Sequence, residues 1–377
     1  MTFPLFELVP ELAPAVPRVS LGEFPTPVES LAVVSRVLGV DSDDAWIKRD
    51  DLSSPVYGGN KVRTLEVLFG QARALGRRSV VASGAFGSNH ALATALHAPR
   101  AGLEPGALLF PQPISLAAFE NLRALVGTRT DLHALPHWSA LPFGMSWLSW
   151  SRGRGSEVPY VMVPGGATPL GALGYVSAAL ELGRQIEQKQ LPLPRRIVVG
   201  VGSTCTSAGL LVGLALAAHF RLGFEASTLP RLTSVRVSPW PVTSRVRILN
   251  LARRTARLLH ELAPKTVPHF ERSVLGARFE VDPRFLGPGY GEASREGEEA
   301  LALWREAKLP PLDGTYSAKA AARVVASLRA REAGPILFWS TKSSAPLPPS
   351  VPLSTAAERA LPSRIRTWLF RAERELG

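Results

Sequence analysis

Residues 197–209 read IVVGVGSTCTSAG, an apolar run that passes through a glycine-rich turn into small, helix-forming residues. A strand followed by such a turn and a helix directs several backbone N–H groups at one point, and the helix dipole adds positive potential there. The loop therefore favours a phosphate, with further hydroxyl donors on Ser203, Thr204 and Thr206. No Gly-Lys-Ser/Thr ends it, so it is not a Walker loop. Taken alone, these glycines are equally typical of a helix packed closely on a strand.

The same alternation of apolar runs and helical patterns continues along the chain. Strands are predicted at residues 80–82, 107–110, 160–163, 197–199, 235–237 and 336–339, and helices at residues 89–97, 116–126, 170–187 and 207–220. This alternation predicts an α/β fold with mainly parallel open sheets and helices on both faces. In such sheets ligands bind at the carboxyl ends of the strands, which is where the glycine-rich loop begins.

Composition limits the class of protein. The chain has 377 residues, of which 46% are hydrophobic and 20% charged, so it is globular and long enough for two domains. A single cysteine excludes an internal disulfide and a cysteine-based zinc site, predicts no metal, and fits a reducing cytoplasm. No apolar run is long enough for a membrane span, and no signal peptide is predicted.

The net charge of +12 raises the question of a nucleic-acid partner. The excess arginines are spread along the whole chain, and the densest group, at residues 253–257, lacks interleaved aromatic residues. A nucleic-acid or membrane partner is therefore not predicted, and the charge is better suited to an anionic cofactor and a carboxylate substrate.

Residues 57–63, YGGNKVR, set Lys61 beside a Gly-Gly turn and just ahead of a helical pattern. A lysine whose surroundings lower its pKa exposes a free amine that forms a Schiff base with an aldehyde cofactor. A solvated lysine after a turn is the simpler interpretation of this segment alone.

Residues 83–90, SGAFGSNH, follow a predicted strand and open a helix. Asn89 is suited to donate to an oxygen on a cofactor ring and Ser88 to bind a carboxylate. As an alternative, either residue is simply a helix N-cap. A Ser-His-acid triad is disfavoured because the Gly-x-Ser-x-Gly elbow is missing.

Taken in order, these segments resemble the D-cysteine desulfhydrase and 1-aminocyclopropane-1-carboxylate deaminase family of pyridoxal-phosphate enzymes. The resemblance covers about residues 24–344 and includes FPTP at 24–27, IKRDD at 47–51, PGG at 164–166, GALGY at 171–175, GPGYG at 287–291, LDGTY at 312–316 and GPILF at 334–338. It implies the two-domain tryptophan synthase β-like fold, fold type II. The implied large domain comprises residues 1–55 and 166–377, including the C-terminal tail, and the small domain residues 56–165.

The resemblance also implies roles for individual residues. Lys61 would be the Schiff-base lysine, and Ser88, Tyr290 and Tyr316 would act on the substrate. Cofactor-binding residues besides Lys61 would be Asn89, Gly202, Ser203, Thr204, Cys205, Thr206 and Thr341. Several positions depart from the family pattern. Thr64 replaces a usual lysine, Cys205 a glycine and Lys342 a glycine, and Ser317-Ala318 replaces a usual Thr-Gly.

The implied reaction is α,β-elimination from a small amino acid to a 2-oxo acid, ammonia and sulfide, as in D-cysteine desulfhydrase. Ring opening of 1-aminocyclopropane-1-carboxylate and a catalytically weakened cofactor-binding protein remain alternatives. A cytoplasmic homodimer is expected. The amphipathic stretch Ser363–Leu376, after a proline-rich tail, is predicted to pack on the body as a helix, with a partner-binding helix as the alternative.

Overall fold

The computed structural model describes residues 3–40, 44–151, 155–348 and 355–376. The strands of these ranges are β1 (Val28–Ser30), β2 (Ala45–Arg49), β3 (Ser79–Ala85), β4 (Glu104–Phe110), β5 (Asp131–Ala134), β6 (Tyr160–Met162), β7 (Arg196–Val201), β8 (Arg231–Arg236), β9 (Phe279–Asp282) and β10 (Ile336–Ser340). The helices are α1 (Pro4–Leu8), α2 (Leu12–Ala15), α3 (Ala32–Val37), α4 (Asn60–Ala74), α5 (Asn89–His97), α6 (Leu116–Val126), α7 (Leu141–Ser151), α8 (Pro169–Glu187), α9 (Cys205–His219), α10 (Arg245–Leu262), α11 (Arg272–Gly276), α12 (Arg295–Glu306), α13 (Ser317–Arg329), α14 (Thr355–Ala360) and α15 (Ser363–Leu376).

The larger sheet has the strand order β1-β2-β10-β7-β8-β9, and its pairs are parallel except β1 with β2. Alternate residues of β10 face opposite cores, because successive side chains of a strand point to opposite faces. Leu337 and Trp339 pack with α8, α9 and α10, whereas Ile336 and Phe338 pack with α12 and α13. Helices therefore cover both faces of this sheet.

The smaller sheet has the order β5-β4-β3-β6, with all pairs parallel. Val80 and Ala82 face a core that also contains α5, α6 and α15, while Val81 faces α7. These two sheets confirm the predicted α/β fold with mainly parallel strands and helices on both faces. Among the described residues, no helix is long and apolar enough to cross a membrane.

The predicted elements are present, with differences at some ends. Helices α5 and α6 have the predicted bounds, whereas α9 begins at Cys205, two residues before the predicted start, so that the predicted start was wrong. Strand β8 is also displaced, since it spans Arg231–Arg236 rather than residues 235–237. Strands β1, β2, β5 and β9, which were not predicted, have 3, 5, 4 and 4 residues respectively.

The C-terminal helix α15 lies on the smaller sheet's side of the molecule. Its residues Ile365, Trp368 and Ala372 are buried in the same core as α5 and α6. The division into domains at residues 56 and 165 remains a proposal. This packing favours assigning α15 to the smaller domain rather than to the larger one.

Candidate active site

Lys61 lies at the second residue of α4, directly against the end of β10. The backbone N–H of Asn60 donates to the Thr341 carbonyl oxygen over 3.2 Å. Gly59 has a φ of +88°, and a Cβ at this position would lie 2.5 Å from that same carbonyl oxygen. A glycine is thus required here both by its conformation and by the close approach of the two segments.

The environment of Lys61 favours a neutral amine. Burial lowers its pKa, while the nearby Cys205 acts weakly in the opposite direction. Lys48, another buried lysine, differs because its amine contacts the Glu181 carboxylate at 2.5 Å and Gln185 Oε1 at 2.7 Å. Of these two lysines, Lys61 is therefore the one whose amine is not held in an ion pair.

The glycine-rich loop connects β7 to α9 next to Lys61. Thr206, in the first turn of α9, accepts a hydrogen bond from Asn60 Nδ2 over 3.0 Å, which ties the loop to the start of α4. Gly165 has a φ of +66°, and a Cβ there would lie 2.3 Å from Ser203 Oγ and 3.7 Å from Lys61 Nζ. Gly165 thus lets the loop and the lysine approach one another.

Cys205 is fully buried and contacts Gly166 and Thr64. Its Sγ donates to the Gly166 carbonyl oxygen over 3.3 Å and lies 3.8 Å from Thr64 Oγ1. Burial raises the pKa of this thiol to about 11, against opposing effects of Lys61 and Thr64. Cys205 is therefore a protonated thiol, and two of the positions that depart from the family pattern contact each other.

The amide of Asn89 is held in one orientation. Its Oδ1 accepts hydrogen bonds from Tyr57 Oη and from Asn121 Nδ2, both at 2.8 Å. Because the oxygen is occupied, the Nδ2 donor is directed elsewhere and is available for an acceptor on a ligand. Ser88 is the N-cap of α5 and accepts from the Ala91 N–H over 3.3 Å, so the capping interpretation of Ser88 is correct, while its own hydroxyl proton remains available.

A small polar cavity opens beside Asn89. It is lined on one side by Gly87, Gln112 and Asn121 and on the other by Tyr290, Tyr316 and Lys342. The two tyrosine hydroxyl groups are 2.6 Å apart, and burial raises the pKa of both. The Tyr316 ring also packs against the glycine-rich loop, since a Cβ on Gly202 would lie 2.6 Å from its Cε1. Tyr316 therefore joins the loop to the cavity.

A buried network of charges lies below the start of α4. Arg63 donates to both oxygens of Asp50 and to both oxygens of Glu181, and Tyr175 donates to Asp50 over 2.7 Å. Burial alone would raise the pKa of Asp50, but Arg63 outweighs it and lowers the pKa to about 2. The network joins β2, α4 and α8 and so supports the helix that carries Lys61.

The sequence segments thus meet in space, with Lys61, Asn89, Tyr316 and the residue 202–206 loop around one site. The backbone of Thr341 is at this site, but its carbonyl oxygen is used by Asn60. The sequence did not single out Asn121 or Gln112, whereas Trp368 was marked only as a residue on the apolar side of the C-terminal helix. Asn121 gives one weak signal, because it is a polar residue on the otherwise apolar buried face of α6.

The fold and the site define a class of protein. A family model described as "Pyridoxal-phosphate dependent enzyme" matches residues 19–332, and the chain belongs to this family. Its cofactor is pyridoxal phosphate, and the chain is a pyridoxal-phosphate enzyme of fold type II, as expected.

Two relatives and one solved structure are similar to this chain over most of its length. The chain is 35% identical over 352 residues to nocardicin C-9' epimerase of Nocardia uniformis subsp. tsuyamanensis, an alignment that covers 89% of this chain and 98% of that protein. It is 33% identical to D-cysteine desulfhydrase of Serratia proteamaculans (strain 568), covering 86% of this chain and 93% of the relative. A crystal structure of an ACC deaminase homologue superimposes with a TM-score of 0.70 at 30% identity, covering 91% and 95% of the two chains.

The residues present fit this cofactor. Lys61 offers a buried amine to the aldehyde, and the first turn of α9 offers backbone N–H groups to the phosphate. The Nδ2 donor of Asn89 is suited to the oxygen on the ring. Within the part of the chain that the structure describes, no group of His, Cys, Asp or Glu is arranged to hold a metal ion.

Proposed function

We propose that this protein catalyses α,β-elimination from a small amino acid, in the manner of a D-cysteine desulfhydrase. With cysteine, the substrate and one water would give pyruvate, ammonia and hydrogen sulfide, with the C–S and C–N bonds broken. The observation that carries the proposal is the Lys61 amine, which is buried, has a lowered pKa and lies next to the glycine-rich loop.

Bound pyridoxal phosphate supplies an electron sink for the pair left at the substrate α-carbon. The first turn of α9 and the hydroxyl groups of Ser203, Thr204 and Thr206 hold the phosphate. Asn89 donates to the ring oxygen through Nδ2, since Tyr57 and Asn121 occupy its Oδ1. Thr341, which follows β10 and lies near the start of α4, is a further residue proposed to bind the cofactor.

The remaining residues move protons and orient the substrate. Lys61 would remove the α-proton as a neutral amine, a form that its buried position favours. Ser88 retains a hydroxyl proton with which it binds the substrate carboxylate. The Tyr290 and Tyr316 hydroxyl groups, joined at 2.6 Å, remain protonated because burial raises their pKa. One proton lies in the bond between them, and the hydroxyl that accepts this bond keeps its own proton to donate to the departing sulfur.

Borohydride reduction of the purified protein tests this proposal. The cofactor should become fixed to a peptide that contains Lys61, and incubation with D-cysteine should release pyruvate and sulfide. Lys61→Ala should abolish both signals. Lys265→Ala, which removes an exposed lysine, is the matched control and should retain both. Fixation at another lysine would contradict the assignment.

Epimerisation is a second candidate function. The relative that is 35% identical is named an epimerase, and elimination and epimerisation both begin with removal of the α-proton. Returning a proton to the opposite side requires a second donor, and the tyrosine pair supplies one. Amino acids incubated in heavy water should exchange their α-hydrogen and invert without release of a 2-oxo acid if epimerisation is the reaction.

Two further alternatives to elimination are ring opening and a loss of catalytic activity. The products formed distinguish them. Release of 2-oxobutyrate from 1-aminocyclopropane-1-carboxylate indicates a deaminase-like ring opening, as in the relatives that carry that name. Cofactor absorbance without turnover of any amino acid indicates a weakened cofactor-binding protein. We also propose that the protein works in the cytoplasm as a homodimer, which sedimentation at two concentrations tests.

A further inference from the structure

Lys342 is the cation of the cavity beside Asn89. Its side chain lines the cavity together with Gln112, Tyr290 and Tyr316. The ammonium lies 5.8 Å from the centroid of the Tyr57 ring, and no carboxylate in the described part of the chain forms an ion pair with it. Lys342 as a whole is half-buried, so an anion bound in the cavity would supply the opposite charge that its ammonium lacks there.

The other charged group of the cavity is already occupied. Asp313 Oδ1 accepts the backbone N–H groups of Thr315 and Tyr316 at 3.0 and 2.6 Å. Its Oδ2 accepts the backbone N–H and the hydroxyl of Ser317 at 3.3 and 2.8 Å. Both oxygens serve the start of α13, so Asp313 does not neutralise Lys342 through a contact.

The neutral residues around Lys342 add donors. Gln112 accepts the Gly87 N–H through Oε1 over 3.2 Å, which leaves its Nε2 to donate. The tyrosine pair Tyr290 and Tyr316 adds one further donor at the same cavity, because one of its two hydroxyl protons lies in the bond between the rings and the other is free. A cation surrounded by donors recognises an anion, because each contact becomes a charge-assisted hydrogen bond.

We propose that Lys342 is a specificity-determining residue that binds a second anionic group, one carried on the side chain of the amino-acid substrate. The preferred substrate is then an amino acid with a carboxylate, phosphate or sulfonate side group rather than a neutral one. This inference rests on the proposed function, since it takes the cavity to be the substrate side of the cofactor site.

Binding of matched pairs of amino acids to the cofactor-loaded protein tests the inference. Aspartate is compared with asparagine and O-phosphoserine with serine, in both enantiomers, by titrating the change in cofactor absorbance and by initial rates. The parent should bind the anionic member at least about tenfold more tightly than the neutral member. Lys342→Met, which keeps the length of the side chain, should lose this preference while retaining the neutral members.

Two control variants distinguish the effect of the positive charge at residue 342 from the effect of the protein's overall positive charge. Lys342→Arg should keep most of the preference, and Lys265→Met, which removes an exposed charge elsewhere, should keep all of it. A preference that survives in Lys342→Met, and in Lys342→Gln if the first variant does not fold, overturns the inference. A cofactor-loaded parent that favours neutral amino acids also overturns it, without touching the proposed function. A parent with no cofactor absorbance contradicts the proposed function itself.

Discussion

At the scale of single residues, the site depends on which polar atoms are already engaged. Lys48 and Lys61 are both lysines beside α4, yet Glu181 holds the amine of Lys48 and no acid holds that of Lys61. Asn89 illustrates the same point, because two donors on its oxygen direct its nitrogen elsewhere. The chemistry therefore follows from neighbours as much as from residue type.

The hydroxyl of Tyr316 is predicted to matter for turnover rather than for cofactor binding. Tyr316→Phe keeps the ring that packs on Gly202 and removes only the proton donor bonded to Tyr290. Because a general acid–base group typically contributes roughly 10²- to 10⁴-fold, kcat should fall by about that factor with an unchanged cofactor spectrum. Tyr160→Phe, on β6, is the control. Full activity of Tyr316→Phe would assign the hydroxyl a packing role only.

At the scale of elements, the residues of the candidate active site lie at the ends of strands and the starts of helices. The carboxyl ends of β3, β7 and β10 lead to Asn89, to the glycine-rich loop and to Thr341. Helix α9 is apolar on all sides and buried, so its first turn is held rigidly between α8 and α10. A phosphate bound at this turn, as proposed, would therefore meet a buried and well-packed helix.

The first turn of α9 is predicted to anchor the phosphate through Thr206. Thr206→Val keeps the shape but removes the hydroxyl that bonds Asn60 and is available to the phosphate. A hydrogen bond to a charged group is worth about 1.5–3 kcal/mol, so cofactor affinity should fall by about tenfold or more. Thr206→Ser restores the hydroxyl and should restore affinity, as measured by dialysis against the cofactor. Equal affinity of the Val and Ser variants would contradict this role.

Helix α15 lies beyond the residues matched by the family model, yet it contacts Gln112, which lines the cavity beside Asn89. Trp368 donates through Nε1 to the Gln112 carbonyl oxygen over 2.8 Å, and its ring meets Phe86 edge-on at 5.8 Å. Trp368→Phe keeps the ring contact and loses the donor, so KM should rise about tenfold with little change in cofactor affinity. Phe370→Ala, on the exposed face of the same helix, should leave KM unchanged.

An unchanged KM in Trp368→Phe would mean that α15 only covers the core. A loss of cofactor affinity in that variant would also contradict the prediction, because it would indicate a general loosening of the smaller sheet rather than a displaced Gln112.

At the scale of the whole molecule, buried charges join segments that are far apart in sequence. Asp50 and Arg63 belong to β2's end and to α4, and Glu181 comes from the middle of α8. A buried pair with well-satisfied hydrogen bonds adds little net stability, but removing one partner is strongly destabilising. The network therefore fixes the position of α4 relative to the larger sheet.

Glu181→Gln is predicted to test this network. It keeps the shape but leaves Lys48 and Arg63 with Asp50 as their remaining acid, so the free energy of unfolding should fall by about 3–5 kcal/mol. Urea unfolding measures this. Glu261→Gln is the matched control, because it removes one partner of an exposed pair with Arg257 and should cost about 0.5 kcal/mol or less. A similar small loss in both variants would show that the network is dispensable.

The sequence by itself predicted the α/β class, six of the ten strands in the described part of the chain, and the segments proposed to carry the chemistry. This was possible because these signals are local. Ser88 caps α5 and Ser115 caps α6. The apolar periodicity of each element likewise depends only on residues close together in sequence. Lys61 and the loop after β7 were marked by glycines whose conformation or close contacts exclude other residues.

Only the tertiary structure decided what these residues can do. The thiol of Cys205 bonds Gly166, and the orientation of Asn89 depends on Tyr57 and Asn121. The position of Lys342 in the cavity and of α15 on the smaller sheet likewise depends on partners remote in sequence. The physical reason is that pKa values, side-chain orientation and enclosure are set by packing between distant segments, which no local pattern records.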